Sequence, residues 1–368
     1  MRILMISKAC IVGVYQRKLE EIARFPDVEL MVVVPPSWRD GDRLARLERV
    51  YTAGYELVVE PVALNGNFHL HFYPHLKRRL RAFAPDVLHI DEEPYNFATY
   101  HALRLAERFG ARSLWFTWQN LNRRYPFPFR LVERYNLHHA DYAIAGSDGA
   151  ATVWREKGYS GPLAVIPQFG VDPAVFAPPR GRRDAGRGFV VGYVGRLVAE
   201  KGVDLLLEAI SGVTGSYRLI VLGAGPELGR LKELSRRLGL DGQVVFEEWL
   251  TSARMPDFYR GLDALVLPSR SRPNWIEQFG RVLIEAMACG VPVVGSDCGE
   301  IPQVVGDAGL IFPEGDAAVL REHLVRLMRD PGLWVTLSRR GRERVLARFT
   351  QAQVAAQTVA AYREMMGE

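Results

Sequence analysis

The chain has 368 residues, of which 48% are hydrophobic and 24% are charged, and its formal net charge is +5. This length favours two domains, because single hydrophobic cores stop growing at about 250 to 300 residues. The composition is that of a globular protein, and the mild basicity is far from that of a dedicated nucleic-acid-binding protein, so we expect no nucleic-acid partner.

Cysteine usage and hydropathy indicate the compartment. Cys10, Cys289 and Cys298 lack paired metal-ligand spacing, which disfavours a disulfide scaffold or a zinc site. The N-terminal run MRILMIS is too short for a signal peptide, and no stretch of about 18 apolar residues occurs. We therefore expect a cytoplasmic protein that does not span a membrane.

Short apolar runs rich in β-branched residues recur through the first half of the chain, separated by helical patterns. Runs that are apolar throughout are typical of parallel strands covered by helices on both faces. The six predicted strands are residues 3–6, 30–34, 87–90, 113–117, 142–145 and 163–166.

A second series of strands follows residues 177–188, a segment rich in Pro, Gly and Arg that is typical of an exposed linker. These strands are residues 189–194, 218–222, 244–246, 264–267, 291–294 and 309–312.

The sequence thus predicts an α/β protein with two doubly wound, Rossmann-like domains, residues 1–176 and 189–348, facing a central cleft. Ligands of such sheets bind at the carboxyl ends of the strands. Residues 349–368 are assigned to a C-terminal helix that packs back on the N-terminal domain.

The first strand of the second domain is followed by VGRLVAEKG, which contains Arg196 and Lys201. Two cations at the carboxyl end of a buried strand, beside glycines that allow close approach, suit a diphosphate. The alternative interpretation is a solvated basic loop. The next strand is followed by LGAGPE, residues 222–227, a partial glycine fingerprint to which we give a supporting role.

The segment WIEQFGRVLIEAMACGVPVVGSD, residues 275–297, carries two carboxylates. Glu285 lies in an apolar run and therefore needs a partner. A helix beginning near Phe279 and Gly280 would offer free N–H groups to an anion, and Glu277 would then accept hydrogen bonds from hydroxyls beyond it. The two acids are at most about 12 Å apart along the helix. The alternatives are a helix-terminal acid for Glu277 and a buried salt bridge for Glu285.

Taken in order, these motifs closely resemble those of retaining glycosyltransferases with the GT-B fold, specifically the E-x7-E signature of the GT4-like group. The likeness extends over essentially the whole chain. The matching elements are GR and KG at 195–196 and 201–202, LGAGP at 222–226, the segment from Glu277 to Val294, GEIP at 299–302 and GLIF at 309–312.

The resemblance implies a role for each matching residue. Arg196 and Lys201 would bind the diphosphate of a nucleotide-sugar donor, Glu277 the donor sugar and Glu285 the ribose diol. The amides expected near the phosphates are those of Phe279, Gly280, Arg281 and Val282.

The N-terminal half resembles the family less closely. Gly13 stands where a glycine-rich loop usually approaches the donor phosphate, although the common double glycine is missing. Asp91 occupies the position of a histidine that many members place near the reacting centre, with His89 on the preceding strand. Asp91 is therefore the candidate acid, while Glu92 and Glu93 remain alternatives, as does a helix N-cap role for the acidic cluster.

The segment TWQN, residues 117–120, follows another buried strand, and its amides Gln119 and Asn120 are candidates for acceptor binding. A core-packed Trp118 is the usual explanation for that aromatic residue. No Asp-x-Asp motif occurs, so we expect neither a metal nor a cofactor, with the diphosphate charge neutralised by Arg196, Lys201 and helix amides.

Basic and aromatic residues also cluster at 76–81 and 122–129, where anionic lipid could dock, although a charge run is usually a solvated face. The resulting expectation is a retaining hexosyltransferase that uses a nucleotide-sugar donor, with UDP-hexose favoured and GDP-mannose as the alternative. Its acceptor is unidentified: a glycan, a lipid-linked molecule or a small molecule. The alternatives are a nucleotide-sugar 2-epimerase of related fold and a non-catalytic nucleotide-sugar-binding protein. The sequence leaves the oligomeric state open.

Overall fold

The computed structural model describes residues 1–41, 43–179 and 188–368, so that residues 180–187 of the predicted linker lie outside the described residues. The chain divides into two units. The first contains Met1–Gly170 together with Gln351–Glu368, and the second contains Val171–Thr350. The division after Gly170 lies a little before the predicted domain end at residue 176.

The first unit is built on a seven-stranded sheet in which neighbouring strands are parallel, with the order β5-β2-β1-β6-β7-β8-β9. Its strands are β1 (Arg2–Ile6), β2 (Glu29–Val34), β5 (Glu56–Val59), β6 (Val87–Ile90), β7 (Arg112–Thr117), β8 (Tyr142–Ala145) and β9 (Leu163–Val165). A separate antiparallel hairpin consists of β3 (Ser37–Asp40) and β4 (Arg43–Arg46). The sequence prediction lacked β5 and this hairpin.

Helices of the first unit include one from the end of the chain. They are α1 (Arg17–Ala23), α2 (Leu76–Phe83), α3 (Phe97–Phe109), α4 (Phe129–His139), α5 (Asp148–Glu156) and α13 (Gln351–Met366). Helix α13 buries Val354, Val359 and Tyr362 in the same core as Ile3 of β1 and Leu19 of α1. This apolar face explains why the last helix belongs to the first unit.

The second unit has a six-stranded parallel sheet with the order β12-β11-β10-β13-β14-β15. Its strands are β10 (Phe189–Val194), β11 (Tyr217–Leu222), β12 (Val244–Glu247), β13 (Ala264–Leu267), β14 (Val293–Ser296) and β15 (Leu310–Phe312). Its helices are α6 (Val203–Ser211), α7 (Leu228–Arg237), α8 (Met255–Arg260), α9 (Arg281–Ala288), α10 (Ile301–Val305), α11 (Ala317–Arg329) and α12 (Pro331–Arg348).

Both sheets reverse their winding beside the first strand of the unit, which lies between β2 and β6 in one and between β11 and β13 in the other. The prediction of two Rossmann-like parallel sheets is therefore confirmed. At such a reversal the loops that leave the carboxyl ends of neighbouring strands diverge and open a binding crevice. In each unit the residues that follow these strands are therefore the main candidates for a ligand-binding site.

Candidate active site

In the second unit, the predicted phosphate-binding and sugar-binding residues are in direct contact. Lys201, which ends a short 3-10 turn after β10, places its Nζ 2.6 Å from Oε2 of Glu277. The buried hydroxyl of Ser269 donates to the same oxygen over 2.8 Å. A lysine and a glutamate 76 residues apart thus form an ion pair, with side-chain exposures of 19% and 9%.

Close backbone packing fixes both partners of this ion pair. Gly202 has a φ of +66°, and a Cβ there would lie 1.9 Å from the carbonyl oxygen of Pro268, so the loops after β10 and β13 can approach only with glycine at this position. On the other side, the amide of Glu300 donates to the carbonyl oxygen of Glu277 over 3.2 Å. Three loops at the carboxyl edge of the sheet therefore converge on Glu277.

Arg196 is exposed directly after β10. Its backbone is held by the hydroxyl of Tyr193, which donates to the Arg196 carbonyl oxygen over 2.9 Å. Among the described residues, no carboxylate forms a salt bridge with its guanidinium, which leaves it available to an anion. The glycine-rich segment after β11 supports this loop, because the amide of Leu197 donates to the carbonyl of Ala224 over 2.9 Å.

Helix α9 begins at Arg281, close to the predicted start, with Gly280 as its N-cap in the left-handed conformation at φ 78°. A Cβ at Gly280 would lie 2.9 Å from side chains of Leu267 and Leu283. The ring of Phe279 packs against Phe349, at a centroid distance of 5.7 Å, so this residue can offer only its backbone to a ligand. Gly280 has no side chain with which to cap the first turn of α9, and this turn carries the positive end of the helix dipole.

Glu285, on the same helix, has the hydrogen-bonding partners that a carboxylate within an apolar run requires. The hydroxyl of Tyr259 donates to its Oε2 over 2.7 Å, and Nε of Arg281 lies 2.8 Å from its Oε1. Burial, and then the negative charge of Glu285, raise the pKa of Tyr259, so this hydroxyl stays protonated and remains a donor. Tyr259 lies on α8, 26 residues earlier, and no motif of the sequence indicates its role.

In the first unit, Asp91 directly follows β6 and is buried. The hydroxyl of Ser7 donates to its Oδ2 over 2.5 Å, and the amide nitrogen of Gln168 donates to its Oδ1 over 2.9 Å. Gln168 in turn accepts from the indole N–H of Trp118 over 2.9 Å. This chain of donors orients the carboxylate, and Gln168 is a residue that the sequence reasoning missed. Trp118 is half-buried and packs against the hydrophobic core of the unit, with its ring 5.4 Å from that of Phe116, as its core-packed interpretation predicts.

His89, two residues earlier, has a different function. Its Nδ1 lies 2.6 Å from the hydroxyl of Tyr362 on α13, and burial followed by the charge of Lys18 holds its pKa well below the ordinary value. His89 is therefore a neutral residue of the buried core.

The neighbouring acids occupy two different environments. Burial alone would raise the pKa of Glu92, but Lys8 and His71 outweigh it and lower the pKa to about 2. Burial raises the pKa of Glu93 to about 7, although the hydroxyl of Thr117 donates to its carboxylate over 2.6 Å. Neither acid caps a helix, because α3 begins six residues after Asp91 with Asn96 as its N-cap, so the N-cap interpretation is wrong.

The remaining predicted residues of this unit are already engaged. The amide of Gly13 donates to Oε2 of Glu48 over 2.8 Å, so a phosphate could use it only by displacing that carboxylate. Gln119 is buried and donates to the carbonyl of Leu121 over 2.9 Å, and Asn120 is buried beside it. These three residues stay predictions. In the described part of the chain, no helix combines the length and apolar character needed to cross a membrane.

Two family models match the amino-acid sequence. Residues 27–175 match Glycosyltransferase Family 4, and residues 181–344 match Glycosyl transferases group 1. The chain is 35% identical to D-inositol 3-phosphate glycosyltransferase of Acidothermus cellulolyticus over 198 residues, which cover 48% of this chain and 42% of the relative.

A second relative is the GDP-mannose-dependent alpha-(1-6)-phosphatidylinositol monomannoside mannosyltransferase of Mycolicibacterium smegmatis, 32% identical over 171 residues, or 45% of each chain. The matches thus span less than half the length of these two curated relatives. A solved structure of Anabaena HepE in complex with UDP has a TM-score of 0.76 at 18% identity, over 99% of this chain and 100% of that one. This likeness concerns the fold, which is GT-B.

Proposed function

Because the chain belongs to the GT4-type glycosyltransferases of group 1, we propose that it transfers a hexosyl unit from a nucleotide-sugar to an acceptor with retention of configuration. The observation that carries this proposal is the Lys201–Glu277 ion pair, in which Glu277 lies four residues before the start of α9. A cation and the backbone amides of a helix start suit a diphosphate, while a carboxylate beside them suits sugar hydroxyls.

In this proposal, Arg196 and Lys201 neutralise the departing diphosphate, so no metal ion is required. Their contribution is largest in the transition state, when the bond between sugar and phosphate breaks and the oxygen gains charge. Glu277 accepts hydrogen bonds from the sugar, and Glu285 accepts them from the ribose. Asp91 is the acid proposed for the reacting centre, because its two donors hold it as a fixed acceptor.

The relatives support two donor classes, since one is named for GDP-mannose and the Anabaena structure contains UDP. We propose a UDP-hexose or GDP-mannose donor and a glycan, lipid-linked or small-molecule acceptor. Thermal unfolding with a panel of nucleotide-sugars tests the donor, because a ligand at about 100 times its Kd stabilises the folded state by about 2.7 kcal/mol.

Two alternatives predict different outcomes for the same panel. A 2-epimerase would convert its donor without any acceptor, which product analysis by chromatography would detect. A non-catalytic binding protein would be stabilised by a nucleotide-sugar yet consume none, with or without candidate acceptors. No stabilisation by any nucleotide or nucleotide-sugar would contradict the proposed function.

We further propose that the first unit docks on anionic lipid through an aromatic–arginine surface, which consists of Phe68, Phe127, Leu131, Arg124 and Arg130. The three apolar side chains are 42%, 78% and 53% exposed, and both arginines are exposed. Exposed apolar side chains with exposed arginines close to them in the sequence suit the boundary between lipid headgroups and acyl chains.

The second basic cluster of the sequence, on α2, lacks this combination. Its apolar residues Leu76, Leu80 and Phe83 are buried in the core, which leaves only charges exposed. Sedimentation with vesicles of phosphatidylcholine, with and without phosphatidylserine, tests the distinction. Phe127→Ser should reduce binding to the anionic vesicles, while Arg78→Gln on α2 should leave it nearly unchanged; equal losses would contradict the assigned surface.

A further inference from the structure

Trp275 lies two residues before Glu277, on a turn that the sequence itself encodes. The backbones of Arg272 and Trp275 exchange two hydrogen bonds, of 2.7 and 3.1 Å, around Pro273 and Asn274. Proline at the second position of a four-residue turn presets its φ, and asparagine is favoured at the third. The position of Trp275 is therefore set locally, and none of the roles proposed above includes it.

The half-buried indole of Trp275 contacts the ion pair of the second unit. The Nζ of Lys201 lies 4.9 Å from the centroid of the indole ring, within the range of a cation–π interaction. The same ammonium lies 2.6 Å from Glu277. The ammonium of Lys201 thus has two different interaction partners, a carboxylate and an aromatic face.

The binding of a donor would affect these two interactions of Lys201 differently. A diphosphate competes with Glu277 for the ammonium of Lys201, because all three groups are charged. It does not compete for the indole face, whose negative quadrupole attracts cations and disfavours anions. The indole contact can therefore persist while the ammonium changes its anionic partner.

We propose that Trp275 is a positioning residue for Lys201, which keeps the ammonium in place as it passes from Glu277 to the diphosphate of the donor. The role of the diphosphate rests on the proposed function; the contact between Trp275 and Lys201 does not. Lysine has a flexible four-carbon stem with about 2 kcal/mol of rotamer entropy, so an ammonium released from Glu277 needs a second anchor to stay in one place.

Chemical acylation measures this anchor without any ligand. The rate of acylation of Lys201, followed by mass spectrometry, is divided by that of the exposed Lys232 in the same sample. Loss of the indole exposes the ammonium and removes a contact that holds it in place, so Trp275→Leu should raise this ratio about threefold or more. Trp275→Phe keeps an aromatic face, so its acylation ratio should be closer to that of the wild type.

Trp249→Leu is the matched control, because Trp249 is 43% exposed in the same unit and has no assigned role. An unchanged ratio in Trp275→Leu would overturn the proposal. So would equal ratios in the Leu and Phe variants at position 275, or a similar rise in the control.

A double-mutant cycle then tests the consequence for binding, with UDP, GDP and ADP titrated in turn by calorimetry. Trp275→Leu should weaken the diphosphate that binds best by about three- to tenfold when Lys201 is present, and have no effect in the Lys201→Ala background. Equal weakening in both backgrounds would overturn the positioning role. If no nucleoside diphosphate binds the wild type, the proposed function fails, while the acylation ratio still decides whether Trp275 anchors Lys201.

Discussion

Substitution of Glu277 by glutamine should tighten the binding of inorganic pyrophosphate but slow the turnover of the nucleotide-sugar. In the structure the Lys201 ammonium is neutralised by Glu277 at 2.6 Å. Glutamine keeps an oxygen that can accept from Ser269 and Lys201 but removes the charge. The released ammonium, no longer next to an anion that also repels phosphate, should attract inorganic pyrophosphate more strongly.

The size of the effect follows from the geometry of the pair. Two unit charges about 4 Å apart near a protein surface attract by about 4 kcal/mol, and measured couplings of close pairs span about 1.5 to 7 kcal/mol. Because Lys201 keeps 19% of its side chain exposed, we take the low end. About 1.5 kcal/mol corresponds to roughly tenfold tighter pyrophosphate binding.

Turnover of the nucleotide-sugar should fall in the same variant. Glutamine is a weaker acceptor for a sugar hydroxyl, and a hydrogen bond to a charged group contributes about 1.5 to 3 kcal/mol, so kcat/KM for the nucleotide-sugar should fall about ten- to hundredfold. Calorimetry at low ionic strength measures pyrophosphate, and initial rates measure turnover. Asp307→Asn, with a side chain 77% exposed, is the charge-matched control.

Unchanged or weaker pyrophosphate binding in Glu277→Gln would refute the reasoning. Lys201 would then not be a phosphate-binding cation whose charge Glu277 neutralises. A tenfold gain in the control as well would show that only the net charge of the unit matters.

Three further outcomes are expected. Lys201→Ala should lower kcat more than it raises the donor KM, because the leaving-group charge develops in the transition state; a change in KM alone would contradict this role. Tyr259→Phe should weaken nucleoside diphosphate binding severalfold in calorimetry, since Glu285 loses the donor that fixes it, whereas equal affinities would place Glu285 away from the ribose. The pKa of Glu93 is raised to about 7, so the folded state holds its proton more tightly than the unfolded state between about pH 4.5 and 7, and stability must fall as the pH rises through this window. Urea unfolding from pH 5 to 8 should show that fall in the wild type and a smaller one in Glu93→Gln.

The sequence predicted the features that depend on local pattern. The apolar strands of both sheets, and a helix that starts beside Gly280, follow from hydrophobic runs and turn residues within a few positions of each other. Strand β5 was missed because Glu56–Val59 is short and lies at a sheet edge, and the hairpin β3–β4 because its residues are largely polar.

Most partners of the site residues could not be predicted, because they come from distant parts of the chain. Arg281, four residues before Glu285 on the same helix, is the exception. Gln168 reaches Asp91 from 77 residues away, and Tyr259 reaches Glu285 from another helix. No periodicity links such pairs, and polar residues of these types occur throughout the sequence. These pairs form only in the folded protein, where each sheet brings loops from different strands to one edge.

Two ion pairs, one between distant residues and one within a helix, explain how the second unit accommodates its carboxylates. Each candidate carboxylate has a cation beside it, since Glu277 pairs with Lys201 and Glu285 with Arg281. A free phosphate must break such a pair and leaves the acid without a compensating partner, which is costly in a buried setting. A nucleotide-sugar instead supplies phosphates for the cations and hydroxyls for the acids. We therefore infer that the paired charges favour the complete donor over its phosphate fragments.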